Sequence, residues 1–453
     1  MRLTCSPTRL LAVLGVVTLV AVAPSSLAQQ GPAADNLRQA LEALDLDDAQ
    51  RTALRDLTRE IRALPRAERR DAWRDGLTDI LTQDQRRTLR RSMSDVVEPA
   101  PTPPRDGIVH GELDASTLAR FRDAATYSAA RRGVSMVVLL DGRLVFEDYP
   151  HGGAVETAHA LASGTKSFSC VLATLAVEDG LLKLDEPLST ILTSWRDDPL
   201  KAAITTRQLL HLTSGLETSV GRPPAYADAI DMPVVSEPGS SFAYGSTAFQ
   251  VFGDVLRRRL AATSDDDSVL AYLQRRVFDP IGIEPASWRL TDGQPNLPSG
   301  AAFTARDWAT FGELIRRGGR VDGRDEPVLD SGTLASCFEG SAANPGYGLG
   351  WWLNRRVSDG QRQTIPQLTA ATDLAGADSI PPDVVMAAGA GDQRLYVVPF
   401  AKLVVVRQTD AIAEALRGRR FGWSDVAFLS RLLGDVDRVT VIDSESSSTE
   451  SSR

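Results

Sequence analysis

Short apolar runs predict β-strands near both ends of the larger part of the chain. The stretch SMVVLLDGRLVFEDY contains two apolar runs joined by Asp141 and Gly142, a pair typical of a hairpin turn. Further along, QRLYVVPFAKLVVVRQT gives two more strands, and GWSDVAFLSRLLGDV has the apolar spacing of a closing helix. Because the segment between these strands is mostly helical in pattern, we expect an α+β fold, with an antiparallel sheet flanked by helices and a helical subdomain.

A separate helical pattern occupies residues 34–97. Apolar residues recur at helical spacing between positions 54 and 64, and LDDAQRTAL at Leu46 returns as LTQDQRRTL at Leu81. Each copy places Asp or Thr before a helix, so we predict two helical hairpins or one repeated helix pair. The segment resembles the L-T-x-x-Q helices of small periplasmic stress and chaperone proteins. We interpret it as a helical arm that serves as a spacer, or that binds a protein partner or a second copy of the chain.

The two ends of the chain differ in composition from the segments beside them. Residues 1–28 combine early arginines, an apolar run and small residues before a cleavage site, which predicts a signal peptide rather than an uncleaved anchor. We therefore expect a periplasmic or secreted protein whose mature chain has no membrane span. A Pro-rich linker is predicted at 98–106, a main domain at 107–436 and a disordered tail at 437–453.

Charge and composition exclude several classes of function. A net charge of −9 and a pI of about 5.2 do not indicate the excess of positive charge that is typical of nucleic-acid binding. The four histidines form no metal-binding pattern, so we expect neither a metal nor a cofactor. Cys170 and Cys337 could form one disulfide in an exported protein, and we expect buried free thiols instead.

One lysine stands out because the chain uses arginine for almost every positive charge. Only four of the 50 basic residues are lysines, and Lys166 follows Ser163 by three positions, at the start of an apolar helical run. Residues three apart share a helix face, so the amine and the hydroxyl can meet. A lysine can lose its proton where arginine cannot, and the field of a helix N-terminus favours the neutral amine. The pair therefore predicts a serine nucleophile with a lysine base, although an S-x-x-K motif alone also occurs by chance.

Further blocks follow this pair in a recognisable order. They are ITTRQLLHLTSGL, the segment AYGST with Tyr244, FTARDWATFGELIRRGG, GYGLGWW and the small residues of AAGAGDQ. Together they resemble the superfamily of serine β-lactamases and penicillin-binding proteins, and the pattern is most similar to the 6-aminohexanoate-dimer hydrolase and esterase branch. This resemblance implies that Ser163 is acylated, that Lys166 accepts its proton and that Tyr244 passes a proton to the leaving group.

The resemblance also implies the residues that surround the reacting carbonyl. The backbone N–H groups of Ser163 and Ala390 would form the oxyanion hole, and Ser246 and Gly389 would contact the substrate. Alternatively, Tyr244 is a core aromatic and the small residues near Ala390 form only a tight turn. Ser246 replaces the asparagine that the family places two residues after its tyrosine.

One departure from the family pattern restricts the range of possible substrates. The lysine of the family's K-T-G element is missing, so no cation at that position pairs with a substrate carboxylate. Arg394 could compensate, and we expect it to face solvent. We therefore predict an exported serine hydrolase that cleaves a small-molecule or peptide-like ester or amide, and rank a true β-lactamase or DD-peptidase below it. The alternative is a non-catalytic scaffold protein of the cell envelope with the same fold.

Overall fold

The chain folds into two compact units, which are described separately. The computed structural model describes residues 44, 46–64, 69–82, 85–86, 102–263, 268–358, 361 and 374–434. The predicted signal peptide and tail lie outside these residues, as do parts of the predicted arm and linker. One unit comprises residues 1–97 with 417–420, and the other comprises the remainder. Among the described helices, none has the length and apolar character needed to cross a membrane.

The smaller unit contains helices α1 (Asp48–Ala63) and α2 (Arg69–Ile80). At the start of α1 the backbone of Gln50 donates to Asp47, and the Gln50 side chain accepts from the backbone of Asp47 in return, at 2.8 and 3.2 Å. Thr82 and Gln85 repeat this arrangement at 3.2 and 3.0 Å. The two glutamine amides also bond to each other reciprocally, at 2.7 and 3.0 Å. The two copies of the sequence repeat therefore contact each other through equivalent residues.

The larger unit is built around an antiparallel β-sheet. Its described strands are β1 (Ile108–Val109), β2 (Gly133–Leu140), β3 (Arg143–Asp148), β4 (His159–Ala160), β5 (Ser287–Trp288), β6 (Leu290–Thr291), β7 (Gln294–Pro295), β8 (Ala301–Phe303), β9 (Trp352–Leu353), β10 (Val385–Gly389), β11 (Gln393–Val398) and β12 (Leu403–Thr409). Seven of them form the large sheet, in the order β1-β3-β2-β12-β11-β10-β9. Two small sheets, β4-β8-β5 and β6-β7, accompany it. The expected α+β fold is confirmed.

The predicted hairpin joins β2 to β3. Leu140 pairs with Arg143, which leaves Asp141 and Gly142 as a two-residue loop. Both loop residues have positive φ, 48° and 80°. Positive φ at both central positions matches the twist of the flanking strands and is readily adopted by an Asp-Gly pair.

Helices cover both faces of the large sheet. The described helices of the larger unit are α3 (Ala115–Ala130), α4 (Ser167–Glu178), α5 (Pro199–Ala202), α6 (Thr206–Leu210), α7 (Tyr226–Asp231), α8 (Thr247–Thr263), α9 (Val269–Leu273), α10 (Asp279–Ile281), α11 (Ala305–Arg316), α12 (Ser331–Ala335), α13 (Ile412–Leu416) and α14 (Asp425–Leu433). Shorter 3₁₀ turns span Ala162–Lys166, Leu188–Thr190, Thr193–Trp195 and Ser336–Phe338, and a π turn spans Gln274–Phe278. The predicted helical subdomain corresponds to the mostly helical chain between α4 and β8.

Alternate residues of β11 show which helix lies on which face. Tyr396 stacks on Phe428 of α14, with ring centroids 5.6 Å apart. Its neighbour Leu395 points the other way, toward Gly312 of α11, where a Cβ added to the glycine would lie 2.6 Å from the leucine side chain. Because successive side chains of a strand point to opposite faces, α14 and α11 cover opposite sides of the sheet. Every residue of β11 is buried as a result.

A disulfide joins α4 to the 3₁₀ turn Ser336–Phe338. Cys170 and Cys337 are bonded, with their Cα atoms 5.7 Å apart. Our expectation of free thiols is therefore wrong. A separation of 167 residues hides this proximity from the sequence, and only the packing of the turn against α4 brings the two cysteines within bonding reach.

Candidate active site

Ser163 lies in a 3₁₀ turn that connects β4 to α4. The turn is tied to the small sheet: the backbone of Leu161 donates to Ala301 at 2.9 Å, and the backbone of Ala301 donates to the hydroxyl of Thr165 at 3.2 Å. Ala162 has a φ of 48°, in the left-handed region that residues with a Cβ seldom adopt. The nucleophile candidate therefore follows directly after a strained residue that surrounding contacts hold in place.

The structure brings the hydroxyl of Ser163 and the amine of Lys166 together. The amine donates to Ser163 Oγ at 3.1 Å and to the carbonyl oxygen of Pro298 at 3.0 Å. In a 3₁₀ helix, residues three apart stack almost directly over one another. Local backbone geometry thus produces this contact, and the Pro298 carbonyl fixes the amine from a second side.

Burial lowers the pKa of Lys166 from 10.5 to about 7. Its side chain is almost fully enclosed, with the amine 4.9 Å from the ring centroid of Tyr244 and 5.5 Å from that of Phe249. Water cannot solvate the ammonium there, which disfavours the charged form. We expected the field of the helix N-terminus to have this effect, whereas the structure assigns it to desolvation. Near neutral pH a large fraction of the amine can accept a proton.

Tyr244 lies beside the same two residues, within a cluster of aromatic rings. Its ring stacks on Trp352 at 5.6 Å and meets the edge of Tyr347 at 6.1 Å. Burial raises the pKa of Tyr244, while hydrogen bonding with the Ser163 side chain and the charge of Arg394 act in the opposite direction. The phenol is therefore neutral at ordinary pH, and its role as a proton relay stays a prediction.

The end of β10 packs directly on the turn that carries Ser163. A Cβ added to Gly389 would lie 2.0 Å from the carbonyl oxygen of Leu161 and 3.1 Å from the nitrogen of Gly164. Only glycine allows the strand to approach this closely. Ala390 is the next residue and is buried. Its assignment to the oxyanion hole stays a prediction, as does the substrate contact of Gly389.

Ser246 lies between Tyr244 and the start of α8. It is buried, and its carbonyl oxygen accepts from the backbone of Gln250 at 3.3 Å. The preceding Gly245 also needs its missing side chain, since a Cβ there would lie 2.0 Å from the hydroxyl oxygen of Thr218. Ser246 therefore occupies a tightly packed segment next to the tyrosine, and its role toward a substrate stays a prediction.

Arg394 does not face solvent as we expected. Its side chain is fully buried and forms an ion pair with Asp425 of α14, in which Nε donates to Oδ1 at 2.8 Å. The prediction failed because it treated one face of β11 as exposed, whereas α14 covers that face. Since Asp425 neutralises the guanidinium, Arg394 does not take the place of the missing K-T-G lysine.

Sequence reasoning also missed several groups around the amine. The carbonyl of Pro298 carries no side-chain signature, so no motif could reveal it. GYGLGWW was recognised only as a family block, and its Gly350 lies against the turn: a Cβ there would be 2.5 Å from the carbonyl oxygen of Lys166. The same block supplies Tyr347 and Trp352 to the aromatic cluster. Within the described ranges, no three His, Cys, Asp or Glu side chains are grouped so as to hold a metal ion.

The fold and this arrangement define the class of protein. The sequence model of the family described as Beta-lactamase matches residues 115–410. This match covers well over half of the chain and includes every residue of the candidate site. The chain therefore belongs to the beta-lactamase family, as the order of the motifs predicted, and is a hydrolase of that fold.

Individual relatives include an esterase, a candidate amide hydrolase and a candidate β-lactamase. Lovastatin esterase from Penicillium rubens is 29% identical over an alignment of 180 residues, and the match covers 30% of this chain and 44% of the esterase. The chain thus matches less than half of that curated relative. Two solved structures share the fold at 19% identity, each over 71% of this chain. A candidate 6-aminohexanoate-dimer hydrolase from Bacillus anthracis has a TM-score of 0.50 over 87% of its length, and a candidate β-lactamase from Bacteroides dorei has 0.54 over 98%.

Proposed function

We propose that this protein is an exported serine hydrolase that cleaves an ester or amide through an acyl-enzyme at Ser163. The observation that carries the proposal is the 3.1 Å hydrogen bond between the Lys166 amine and Ser163 Oγ, together with a lysine pKa of about 7. A buried amine that is partly neutral near pH 7 is suited to act as a general base. A serine beside it is suited to act as the nucleophile.

The reaction proceeds in two steps. Ser163 Oγ bonds to the substrate carbonyl carbon while its proton moves to Lys166, and the negative charge collects on the carbonyl oxygen. The bond to the leaving group then breaks, and that group takes a proton through Tyr244. Water adds to the acyl-serine in the second step, and the acid is released as Ser163 regains its proton. The backbone N–H groups of Ser163 and Ala390 stabilise the negative oxygen in both steps.

The surroundings of the site favour an uncharged substrate. Trp352, Tyr347 and Phe242 stand beside Tyr244 and form an apolar wall. Arg394, the cation closest in sequence to the position of the K-T-G lysine, is bonded to Asp425 rather than available to a carboxylate. Lovastatin esterase is named for an ester, and the candidate 6-aminohexanoate-dimer hydrolase for a dimer of an amino acid, so both names agree with cleavage of an ester or amide bond.

Export is supported by two features of the chain. The first 28 residues have the pattern of a signal peptide. The disulfide between Cys170 and Cys337 suits an oxidising compartment, since cytosolic thiols are usually kept reduced.

The acyl-enzyme is tested with purified wild-type protein, the Ser163→Ala variant and a matched Ser189→Ala control. Ser189 lies in another 3₁₀ turn and donates to the Ala202 carbonyl oxygen at 3.0 Å. We expect hydrolysis of p-nitrophenyl butyrate and labelling by a fluorophosphonate in the wild type and the control. Both should be lost in Ser163→Ala, with thermal unfolding nearly unchanged. Undiminished turnover by Ser163→Ala would refute the nucleophile, and a wild type without labelling or turnover would favour the non-catalytic scaffold.

A further inference from the structure

Several hydrogen bonds from buried side chains hold the turn between β10 and β11. Gly389 pairs with Gln393, so the turn consists of the three residues between them. Gly391 and Asp392 both have positive φ, 74° and 63°. The hydroxyl of Thr409 donates to the carbonyl oxygen of Gly391 at 2.5 Å. A turn with this backbone keeps one shape only while such contacts hold it.

Arg394 binds the end of β10 that packs on the turn carrying Ser163. Its Nη1 donates to the carbonyl oxygens of Gly389 and Gln393, at 3.2 and 3.0 Å, and its Nη2 donates to the carboxylate of Asp392 at 3.3 Å. One guanidinium therefore binds both ends of the turn. Arg407 secures the far side, donating to the Asp392 carbonyl oxygen at 2.7 Å.

The guanidinium is itself fixed by α14. Arg394 and Asp425 are both fully buried, and the carboxylate also accepts from Trp423 at 2.9 Å and from the hydroxyl of Tyr396. A buried carboxylate with several donors is held in one orientation. The position of Arg394 is thus set by the helix on the side of the sheet away from Ser163.

The carbonyl of Gly389 and the N–H of Ala390 belong to the same peptide group. The carbonyl oxygen and the amide hydrogen of a trans peptide point in opposite directions. A carbonyl bonded to the guanidinium on the α14 side therefore directs its N–H away from α14, toward the side where Ser163 lies. Donation to the carbonyl also polarises the peptide, which makes its N–H a stronger donor.

We propose that Arg394 is a positioning residue that orients and polarises the Gly389–Ala390 peptide, so that the Ala390 N–H binds the negative oxygen formed in the reaction. This inference rests on the proposed serine hydrolase function. Arg394 does not touch the substrate: it acts through one peptide group, and Asp425 acts through Arg394.

The test measures how strongly the variants Arg394→Gln and Arg394→Lys bind the transition state, compared with how strongly they bind the substrate. The substrate is p-nitrophenyl butyrate, and the probe is an arylboronic acid, which forms a tetrahedral anion on a catalytic serine. We expect Arg394→Gln to lower kcat about 10- to 100-fold, since displacing an oxyanion donor costs somewhat less than deleting it. The boronate Ki should rise by a similar factor, while KM changes less than about threefold. Arg394→Lys keeps a donor and a charge and should recover part of the loss.

The matched control is Arg306→Gln, which removes another ion pair to a buried carboxylate. Arg306 donates to Glu147 at 2.8 and 2.5 Å, and neither residue belongs to the β10–β11 turn. It should lower stability and leave the boronate Ki unchanged. Asp425→Asn tests the same role from the other side of the ion pair, because Asp425 acts through Arg394. Its losses in kcat and boronate affinity should match those of Arg394→Gln, and the double variant should lose no more than either alone.

The two proposals fail in distinguishable ways. If the wild type shows no Ser163-dependent turnover, the hydrolase function falls and the inference falls with it. If the wild type is active and folded Arg394→Gln and Asp425→Asn retain wild-type kcat and boronate Ki, the hydrolase function stands and the role of Arg394 is refuted. Equal losses of boronate affinity in Arg306→Gln would also overturn it, because the effect would then report general destabilisation.

Discussion

Replacing Lys166 with methionine should stabilise the folded protein near neutral pH while abolishing turnover. Burial lowers the pKa of this lysine from 10.5 to about 7. At 1.36 kcal/mol per pKa unit, keeping the amine in this site costs the folded state about 5 kcal/mol compared with a lysine in water. Methionine fills a similar volume without a charge, so the variant avoids this cost.

Part of that gain is offset by lost hydrogen bonds. The amine donates to Ser163 Oγ and to the Pro298 carbonyl oxygen, and methionine can do neither. A buried carbonyl left without a donor costs about 1–3 kcal/mol. We therefore expect the free energy of unfolding to rise by about 2–4 kcal/mol at pH 6 to 7.

The free energy of unfolding should also change with pH, in a direction that the two pKa values of Lys166 determine. Between the folded pKa of about 7 and the unfolded value of 10.5, the unfolded chain binds the lysine proton and the folded chain does not. Wild-type stability should therefore rise with pH across this window. The cost is present in full below the folded pKa and has vanished above the unfolded one. The advantage of Lys166→Met should thus shrink by up to about 1.4 kcal/mol per pH unit above neutrality.

Urea unfolding across pH 6 to 9 measures this difference directly. Lys402→Met is the matched control, because Lys402 is 61% exposed and pairs with Asp141 at the surface. It should show no comparable change with pH. In parallel, wild-type kcat/KM should rise as pH passes through about 7, where Lys166 becomes able to accept a proton. A Lys166→Met variant that is less stable at every pH, or a stability difference that is flat with pH, would contradict the reasoning.

Two further predictions concern the disulfide and the start of the mature chain. Loss of the disulfide in the double variant Cys170→Ala and Cys337→Ala should lower the free energy of unfolding by about 3–5 kcal/mol, because the bond closes a loop of 167 residues. Urea titration with and without reductant measures this loss. A change below about 1 kcal/mol would count against a stabilising bond. Export of the full-length protein should yield a mature chain that begins near Gln29, and a secreted product that keeps residues 1–28 by mass spectrometry would contradict the cleavage.

Local features of the structure could be predicted from the sequence. Asp141 and Gly142 adjoin the strands they connect, and the turn they form is decided by their own φ preferences. Ser163 and Lys166 are three residues apart, so any helical backbone brings them close. The family pattern then ordered the remaining motifs, and it gave the fold correctly.

Features that depend on long-range packing could not be predicted. Cys170 and Cys337 meet only because a distant turn packs on α4. The burial of Arg394 depends on whether a helix covers its face of β11. The apolar spacing predicts the closing helix itself, but it does not show that Asp425 of this helix points at that strand. Pro298 contributes only a backbone carbonyl, which no residue pattern marks.

The reciprocal bond between Gln50 and Gln85 has a consequence for the smaller unit. Identical groups that bond to each other in both directions meet across a local twofold axis, the geometry by which two copies of a subunit form a dimer. Here the duplicated sequence satisfies that symmetry inside a single chain. The side-chain amides of Gln50 and Gln85 are therefore already paired within one molecule, and in this arrangement they do not offer that contact to the arm of a second one.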